Sequence, residues 1–497
     1  MAHTSTEGSN TKPAAHGHHG VYGGSGEASP LLPSSHHDHT PHTFGDGIAH
    51  EGESGRSGFH IRHFISVLWR SSSYASMAVN VLWPFVIIAI VLNFTTDAHL
   101  WIFATSYLAM IPAANLLGFA GQEFARKMPK LAGILIETTF GSVVEIILFV
   151  VLIAKHKTSS PEENGDEGNL IPIIQAAILG SILTNLLLCL GLCFFVAGIR
   201  RHTANQKFHA VVSEVGTGLL LVAAFGLLIP SAFYSALKSE TVSALHEKFT
   251  QGKLQDDILE ISRGTAIVLI VAYVLYLIYS CTSAHSIFDE VIEMDEHADA
   301  DREQDAAKMK LTMTETFVAL VLSIAFVAWL LIILVGEIEE VVESGVPDQF
   351  LGLILLPLVE KAAEHLTAID EAWDGVINVA LYHCIGPSIQ TALFNAPLVV
   401  LIGWAMGKPM DLNFEIFMIG LLVLSILVVG NFLRDQESNW LEGSLLVIVY
   451  MIIAIAFFYY PNPDVATSNG IEESLQRNIT IPAHLYEQLV AAIQAGH

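Results

Sequence analysis

The sequence predicts an all-α polytopic membrane protein of about eleven transmembrane helices, one leading helix followed by two inverted five-helix repeats. Three observations carry this. The 497 residues are 52% hydrophobic and only 14% charged, where ordinary soluble domains carry roughly 25% charged residues. Apolar stretches of about the 20 residues that cross a bilayer recur from residue 74 to residue 460. The few acidic residues inside those stretches fall at matching places in the two halves. Such a composition excludes a soluble enzyme and a disordered scaffold.

Residues 1–70 read as a disordered cytosolic tail rich in His, Gly and Ser, too poor in apolar residues to bury a core. The first 60 hold ten of the 22 histidines. Two groups, His16-Gly-His18-His19 and His36-His37-Asp38-His39, have the imidazole density that suits Zn²⁺ or Ni²⁺. The N-terminus has no basic segment leading into an apolar run, so targeting is expected to fall to the first transmembrane helix.

Eleven spans follow, at about 74–94, 99–121, 131–154, 170–197, 209–234, 264–283, 312–336, 350–369, 376–405, 414–432 and 440–460. The ninth is long enough to tilt or contain a break. Residues 71–284 comprise the leading helix and first repeat, 312–460 the second repeat, and 461–497 a lumenal tail. With the N-terminus in the cytosol, fourteen Lys and Arg residues face that side and eight the other, leaving Lys361 inside a span. This obeys the positive-inside rule. Both sequons, Asn93-Phe-Thr95 and Asn478-Ile-Thr480, then face the lumen.

The net charge of −26 speaks against nucleic acid as a partner, since binding it needs clustered positive charge; membrane lipid and cations are the expected partners. Between the repeats, the loop 285–311 carries a run of carboxylates from Asp289 to Asp305. It reads as a solvated cytosolic helix or as a lure concentrating cations; its spacing does not match an EF-hand loop. Cys189, Cys193, Cys281 and Cys384 lie in apolar stretches and read as buried thiols without a disulfide framework.

Ionisable residues inside spans are costly and by default mark a transport path. The third span reads Glu137-Thr-Thr-Phe-Gly141-Ser142-Val-Val-Glu145; the eighth reads Leu356-Pro357-Leu-Val-Glu360-Lys361-Ala-Ala-Glu364-His365. Each is followed by a span with a small-residue interruption, Gly180-Ser181 in one and Gly386-Pro387-Ser388 in the other. The paired elements are offset by five spans, an odd number, so the copies run in opposite directions. That is the inverted-repeat plan of secondary transporters, with substrate at the midplane beside broken helices.

A hard cation such as Ca²⁺ takes six to eight oxygen ligands. Glu145 and Glu364 would supply charge, and Ser142, Ser181, Ser388 and freed carbonyls the neutral oxygens. Protons and a metal ion compete for buried carboxylates, which gives antiport without a separate proton wire. Glu360, Lys361, His365, Gln175 and Gln390 are candidates for proton coupling or for supporting the ligands. Lys361 either stands unpaired and repels a cation, or pairs with Glu360 and leaves the two glutamates free. No nucleophile–base set, phosphate loop or dinucleotide motif appears, so neither an enzyme nor a cofactor is expected.

The segment Ile178-Leu-Gly180-Ser181-Ile-Leu-Thr-Asn185-Leu-Leu-Leu, the pair Gly403-Trp404 and the stretch Asn439-Trp440-Leu441-Glu442-Gly443 resemble the cation/proton exchanger branch of the calcium:cation antiporter superfamily, typified by fungal vacuolar calcium/proton exchangers. The resemblance covers about residues 70–460. It implies exchange of cytosolic Ca²⁺ for lumenal H⁺ at the vacuolar membrane, or at another endomembrane such as Golgi or endoplasmic reticulum, and leaves a homo-oligomer open. The core motifs depart from the family. Its Gly-Asn-Ala-Val-Glu is Gly141-Ser142-Val143-Val144-Glu145 here, and its Gly-Asn-Ala-Ala-Glu-His is Glu360-Lys361-Ala362-Ala363-Glu364-His365. Its Gly-Ser-x-Ile-Gln is Gly386-Pro387-Ser388-Ile389-Gln390. The glutamates, His365, Ser181, Gln175 and Gln390 match. The lost amides and the new lysine keep two rivals in view: a monovalent-cation/H⁺ or Mn²⁺/H⁺ exchanger, and a non-transporting membrane sensor or scaffold.

Overall fold

The computed structural model describes residues 58–71, 73–128, 130–156, 169–201, 206–240, 251–283 and 310–460. The His-rich groups, the carboxylates of the acidic loop, Asn478 and the tail from 461 lie outside the described residues. The described chain is helical apart from one two-residue pairing, Gln206–Lys207 (β1) with Glu437–Ser438 (β2).

Residues 61–70, assigned to the tail by composition, form α1 (Ile61–Arg70). It is amphipathic: His63, Phe64 and Val67 are buried, while Ile61, Ile65 and Trp69 make an exposed stripe at helical spacing. The run of Gly, Ser and His stops before it, so apolar periodicity was the better guide here.

The leading span comprises α2 (Tyr74–Val79), a 3-10 turn and α3 (Trp83–Thr95). The first repeat continues with α4 (His99–Ala125), α5 (Lys130–Lys155), α6 (Ile171–Leu183), a π-helical turn Thr184–Cys189, α7 (Leu190–Arg201), α8 (Ala210–Glu240) and α9 (Gln251–Ser283). The second opens with α10 (Met313–Gly336), started by a capping box in which Thr312 and Glu315 satisfy each other's backbone amides. Then come α11 (Ile338–Glu343), α12 (Asp348–Phe350), a π turn Leu351–Leu355, α13 (Leu356–Glu360) and α14 (Ala362–Asp374). Next are α15 (Ile377–Gln390), a π turn Thr391–Asn395, α16 (Ala396–Ala405), α17 (Ile416–Phe432) and α18 (Trp440–Phe458). Among the described residues, eight helices are long and apolar enough to cross a membrane. The other three predicted spans fall on α5, on the interrupted segment from Asp348 to Asp374 and on the 17-residue α17. Large apolar side chains face outward along these helices, among them Ile87, Phe225, Val268, Phe317 and Ile452. Such a belt fits lipid rather than water.

Contacts between helix ends sort the loops onto two faces. On one, Leu311 N donates to Glu123 Oε2, Arg200 pairs with Asp374, His209 N donates to Asn378 Oδ1, and β1 meets β2. On the other, His99 bonds Glu337, Lys155 Nζ donates to Ile332 O, Lys408 Nζ donates to His156 O, and Gln175 Nε2 donates to Asp411 Oδ1. α5 therefore starts on the first face and α14 ends there; α6–α7 ends on the first face and α15–α16 starts there. The paired elements run in opposite directions, as an inverted repeat requires.

The expected interruptions lie elsewhere than the small residues suggest. α6 passes through Gly180-Ser181 and α15 through Gly386-Pro387-Ser388 without a break. A widened turn instead begins three residues after each serine, at Thr184 and at Thr391. Gly180 serves close packing: a Cβ there would stand 2.1 Å from Leu353 O, so α6 and the π turn 351–355 touch backbone to backbone. The real pause falls in the eighth span at Lys361, between α13 and α14 (φ −93°, ψ 0°).

A candidate cation site between the repeats

Glu145 sits on α5 with none of its surface exposed. Its carboxylate receives four contacts. Thr391 Oγ1 lies 3.0 and 2.9 Å from the two oxygens, Asn395 Nδ2 donates to Oε2 at 3.0 Å, and Lys361 Nζ stands 3.0 Å from Oε2. Lys361, itself 1% exposed, also lies 3.4 Å from Glu364 Oε2. The two glutamates predicted from the repeats are thus joined through one ammonium. An isolated charge here would be strongly disfavoured, and pairing is what makes burial tolerable. Of the two states left open by the sequence, neither describes this geometry: Lys361 is paired, but with Glu145 and Glu364. Both oxygens of Glu360 are buried without a hydrogen-bond partner.

Glu364 approaches α5 at Gly141, where a Cβ would stand 2.8 Å from Glu364 Oε1. It also lines a cavity of about 70 Å³ with Asn115, Gln122, Gly141, Tyr382 and His383. Gln122 is near the end of α4 that meets the first face, so the cavity lies on that side of the carboxylates. Glu145, deeper, is closed off.

The other predicted residues divide. Ser142 and Ser181 are buried with no partner for either hydroxyl. Ser388 Oγ donates back to Cys384 O at 2.8 Å, leaving its lone pairs free. Gln390 is buried with Oε1 unpaired. His365 Nε2 is 2.9 Å from Asn185 Oδ1, which fixes the ring against the first repeat. Gln175 Nε2 donates to Asp411 Oδ1, on a loop at the second face, at 2.7 Å. Asp411 is half-buried, and burial pushes its carboxyl up to about 6, against the hydrogen bonds from Asn413 N and Gln175.

Thr391 and Asn395 were missed. Their signal was present: with Ser388 they follow i, i+3, i+7 spacing, a polar stripe inside an apolar span. Buried oxygens without partners occur on Ser142, Ser181, Glu360, Gln390 and Asn395. Unpaired buried oxygens are what a desolvated cation needs.

The sodium/calcium exchanger protein family matches residues 98–282 and 315–459. Vacuolar cation/proton exchanger 2 of Oryza sativa subsp. japonica is 32% identical over 388 residues, covering 78% of this chain and 82% of that one. The vacuolar calcium ion transporter of Schizosaccharomyces pombe is 32% identical over 361 residues, covering 72% and 79%. Among solved structures, native YfkE superposes with a TM-score of 0.59 at 26% identity, over 77% of this chain and 100% of that one. The H⁺/Ca²⁺ exchanger CAX shares the fold, with a TM-score of 0.52 at 13% identity over 85% and 98%. With two repeats in opposite directions, a glutamate from each at the centre, and these relatives, the chain belongs to the sodium/calcium exchanger protein family, in its cation/proton exchanger branch.

Proposed function

We propose that the chain is a secondary antiporter that carries Ca²⁺ from the cytosol into an acidic compartment, the vacuole by its relatives' names, in exchange for H⁺. Glu145 and Glu364 are the shared cation and proton site. One observation carries the reading: a tethered cation, the Lys361 ammonium, already sits between the two glutamates, at 3.0 and 3.4 Å. The space between the repeats therefore accepts positive charge with oxygen on both sides.

The added pair Glu360-Lys361 explains how a divalent ion can enter. Three carboxylates and one ammonium, all ionised, sum to −2, the same charge as the two glutamates alone. For Ca²⁺ to reach Glu145 and Glu364, Lys361 moves onto Glu360, whose oxygens are free. Ser142, Ser181, Gln390 and Asn395 then offer neutral oxygens toward the six to eight that Ca²⁺ takes. When protons fill the glutamates, the ion loses its counter-charge and leaves. The cavity at Glu364 gives access from the first face, which the basic residues assign to the cytosol together with the N-terminus.

A second reading rests on the same lysine. If Lys361 stays on the glutamates, only one negative charge remains for them to offer, and Na⁺, K⁺ or another monovalent ion is the substrate.

The test is proton-gradient-driven uptake of Ca²⁺, Mn²⁺, Na⁺ and K⁺ into sealed vesicles. Ca²⁺ uptake that is lost in Glu145→Gln and Glu364→Gln, with both variants folded, supports the shared site. Near-normal Ca²⁺ uptake in either folded variant contradicts it, and uptake of none of the four ions by the wild type contradicts transport.

A further inference from the structure

Three of the four cysteines converge. Cys189 ends the π turn after α6, Cys193 lies four residues on in α7, and Cys384 lies on α15 of the other repeat. All three are buried, with 0% exposure. Cys384 Sγ is 3.5 Å from Cys189 Sγ and 3.9 Å from Cys193 Sγ, and the three sulfurs lie within 4.8 Å of one another. The thiols are free, and their hydrogen-bond partners are each other.

This is the spacing of a three-sulfur metal site. Sulfurs ~2.3 Å from a shared ion in trigonal geometry stand ~4 Å apart. The i, i+4 pair supplies two ligands from one helix face, and the third comes from the facing helix, so no loop must close for coordination. Thiolate ligands select soft ions over the hard ions that oxygen prefers. Nothing in the carboxylate site uses these sulfurs: they lie a helical turn nearer the first face, Cys384 four residues before Ser388 and Cys189 four after Asn185.

Burial decides how many protons a bound ion displaces. Net charge in this interior is costly, so the favoured complex is neutral. A divalent ion that displaces two thiol protons gives one: two S–H bonds break, two S–metal bonds form, two protons leave to water, and the third sulfur coordinates through a lone pair as a thiol.

We propose that Cys189, Cys193 and Cys384 form a binding site for a thiophilic divalent metal ion, and that its occupancy clamps the two repeats together and arrests exchange. The clamp follows from position, since two ligands belong to the first repeat and one to the second. The site stands independently of the ion that the glutamates carry.

The test uses the purified full chain with Cys281→Ser, so that only the three thiols remain, kept reduced by a phosphine. Cd²⁺ is the probe. The expected result is one Cd²⁺ per chain with the ultraviolet sulfur-to-cadmium charge-transfer band, unaffected by excess Ca²⁺ and strengthening as pH rises. Bound Cd²⁺ should also protect all three thiols from a small alkylating reagent, read by peptide mass. The band should fall at least tenfold in Cys189→Ser and Cys384→Ser. In vesicles, Cd²⁺ should block cation uptake by the parent and spare the serine variants. Absence of the band, or alkylation rates unchanged by Cd²⁺, overturns the site even if no serine variant folds. A band that persists in the folded serine variants overturns the ligand assignment, and uptake unaffected by bound Cd²⁺ overturns the clamp.

Discussion

Lys361 Nζ lies 3.0 Å from Glu145 Oε2, so the side chain that most separates this site from a plain pair of glutamates is held by the glutamate of the opposite repeat. The contact crosses between α5 and the pause at Lys361. It makes the site's resting counter-ion part of the chain itself. Exchange then requires that an external cation compete with a tethered one, which ties ion preference to the cost of moving a single side chain.

Thr391 and Asn395 also hold the Glu145 carboxylate. A hydrogen bond to a charged group contributes ~1.5–3 kcal/mol. Thr391→Val and Asn395→Ala should each weaken apparent Ca²⁺ affinity by about tenfold or more, with folding retained. Their effects should fall short of additive because they share one carboxylate. Concentration dependence of initial uptake rates measures this; affinities equal to wild type would detach both residues from the site.

Two glycines separate packing from chemistry. Gly180→Ala places a methyl 2.1 Å from the Leu353 backbone oxygen, and neither partner can yield without moving a helix. Loss of ~1–3 kcal/mol or more of stability is expected, seen as a lower melting temperature in detergent. Gly141→Ala meets the far end of the Glu364 side chain at 2.8 Å, which can rotate away. That variant should melt near wild type but bind cations more weakly.

Asp411 gives a pH signature. Its carboxyl is raised from 3.8 to about 6 by burial. The folded state therefore holds its proton more tightly than the unfolded chain, and stability attributable to this group declines as pH rises from about 4 through about 6, then levels. Asp411→Asn keeps an oxygen to accept from Gln175 and should flatten that part of the profile. Melting temperatures of both proteins from pH 4 to 7.5 check it; parallel curves would remove Asp411 as the cause.

Much of this was legible in the sequence because a bilayer leaves few options. Helices are forced by backbone satisfaction, and intramembrane Glu145 and Glu364 stand out against an apolar background. The placement of irregular turns was not legible. Gly180 and Gly386-Pro387 look like breaks, yet α6 uses its glycine for contact with Leu353, and α15 carries Pro387 inside a continuous helix. Lys361 pairs with Glu145, 216 positions away in the chain, and helix-wheel angles within one segment could not reveal that. The partner of Gln175, Asp411, is likewise set by tertiary packing.

The central claim is that Lys361 occupies the cation's place and gives way to it by moving to Glu360. The most direct measurement is the ratio of Ca²⁺ to Na⁺ uptake under an imposed pH gradient, in the same vesicles, for wild type, Lys361→Asn and Glu360→Gly. Removing the tethered cation should raise the ratio by about tenfold, equivalent to ~1.4 kcal/mol. Removing its alternative partner should lower the ratio, because Lys361 then has nowhere else to go. A ratio unchanged in both folded variants would contradict the account.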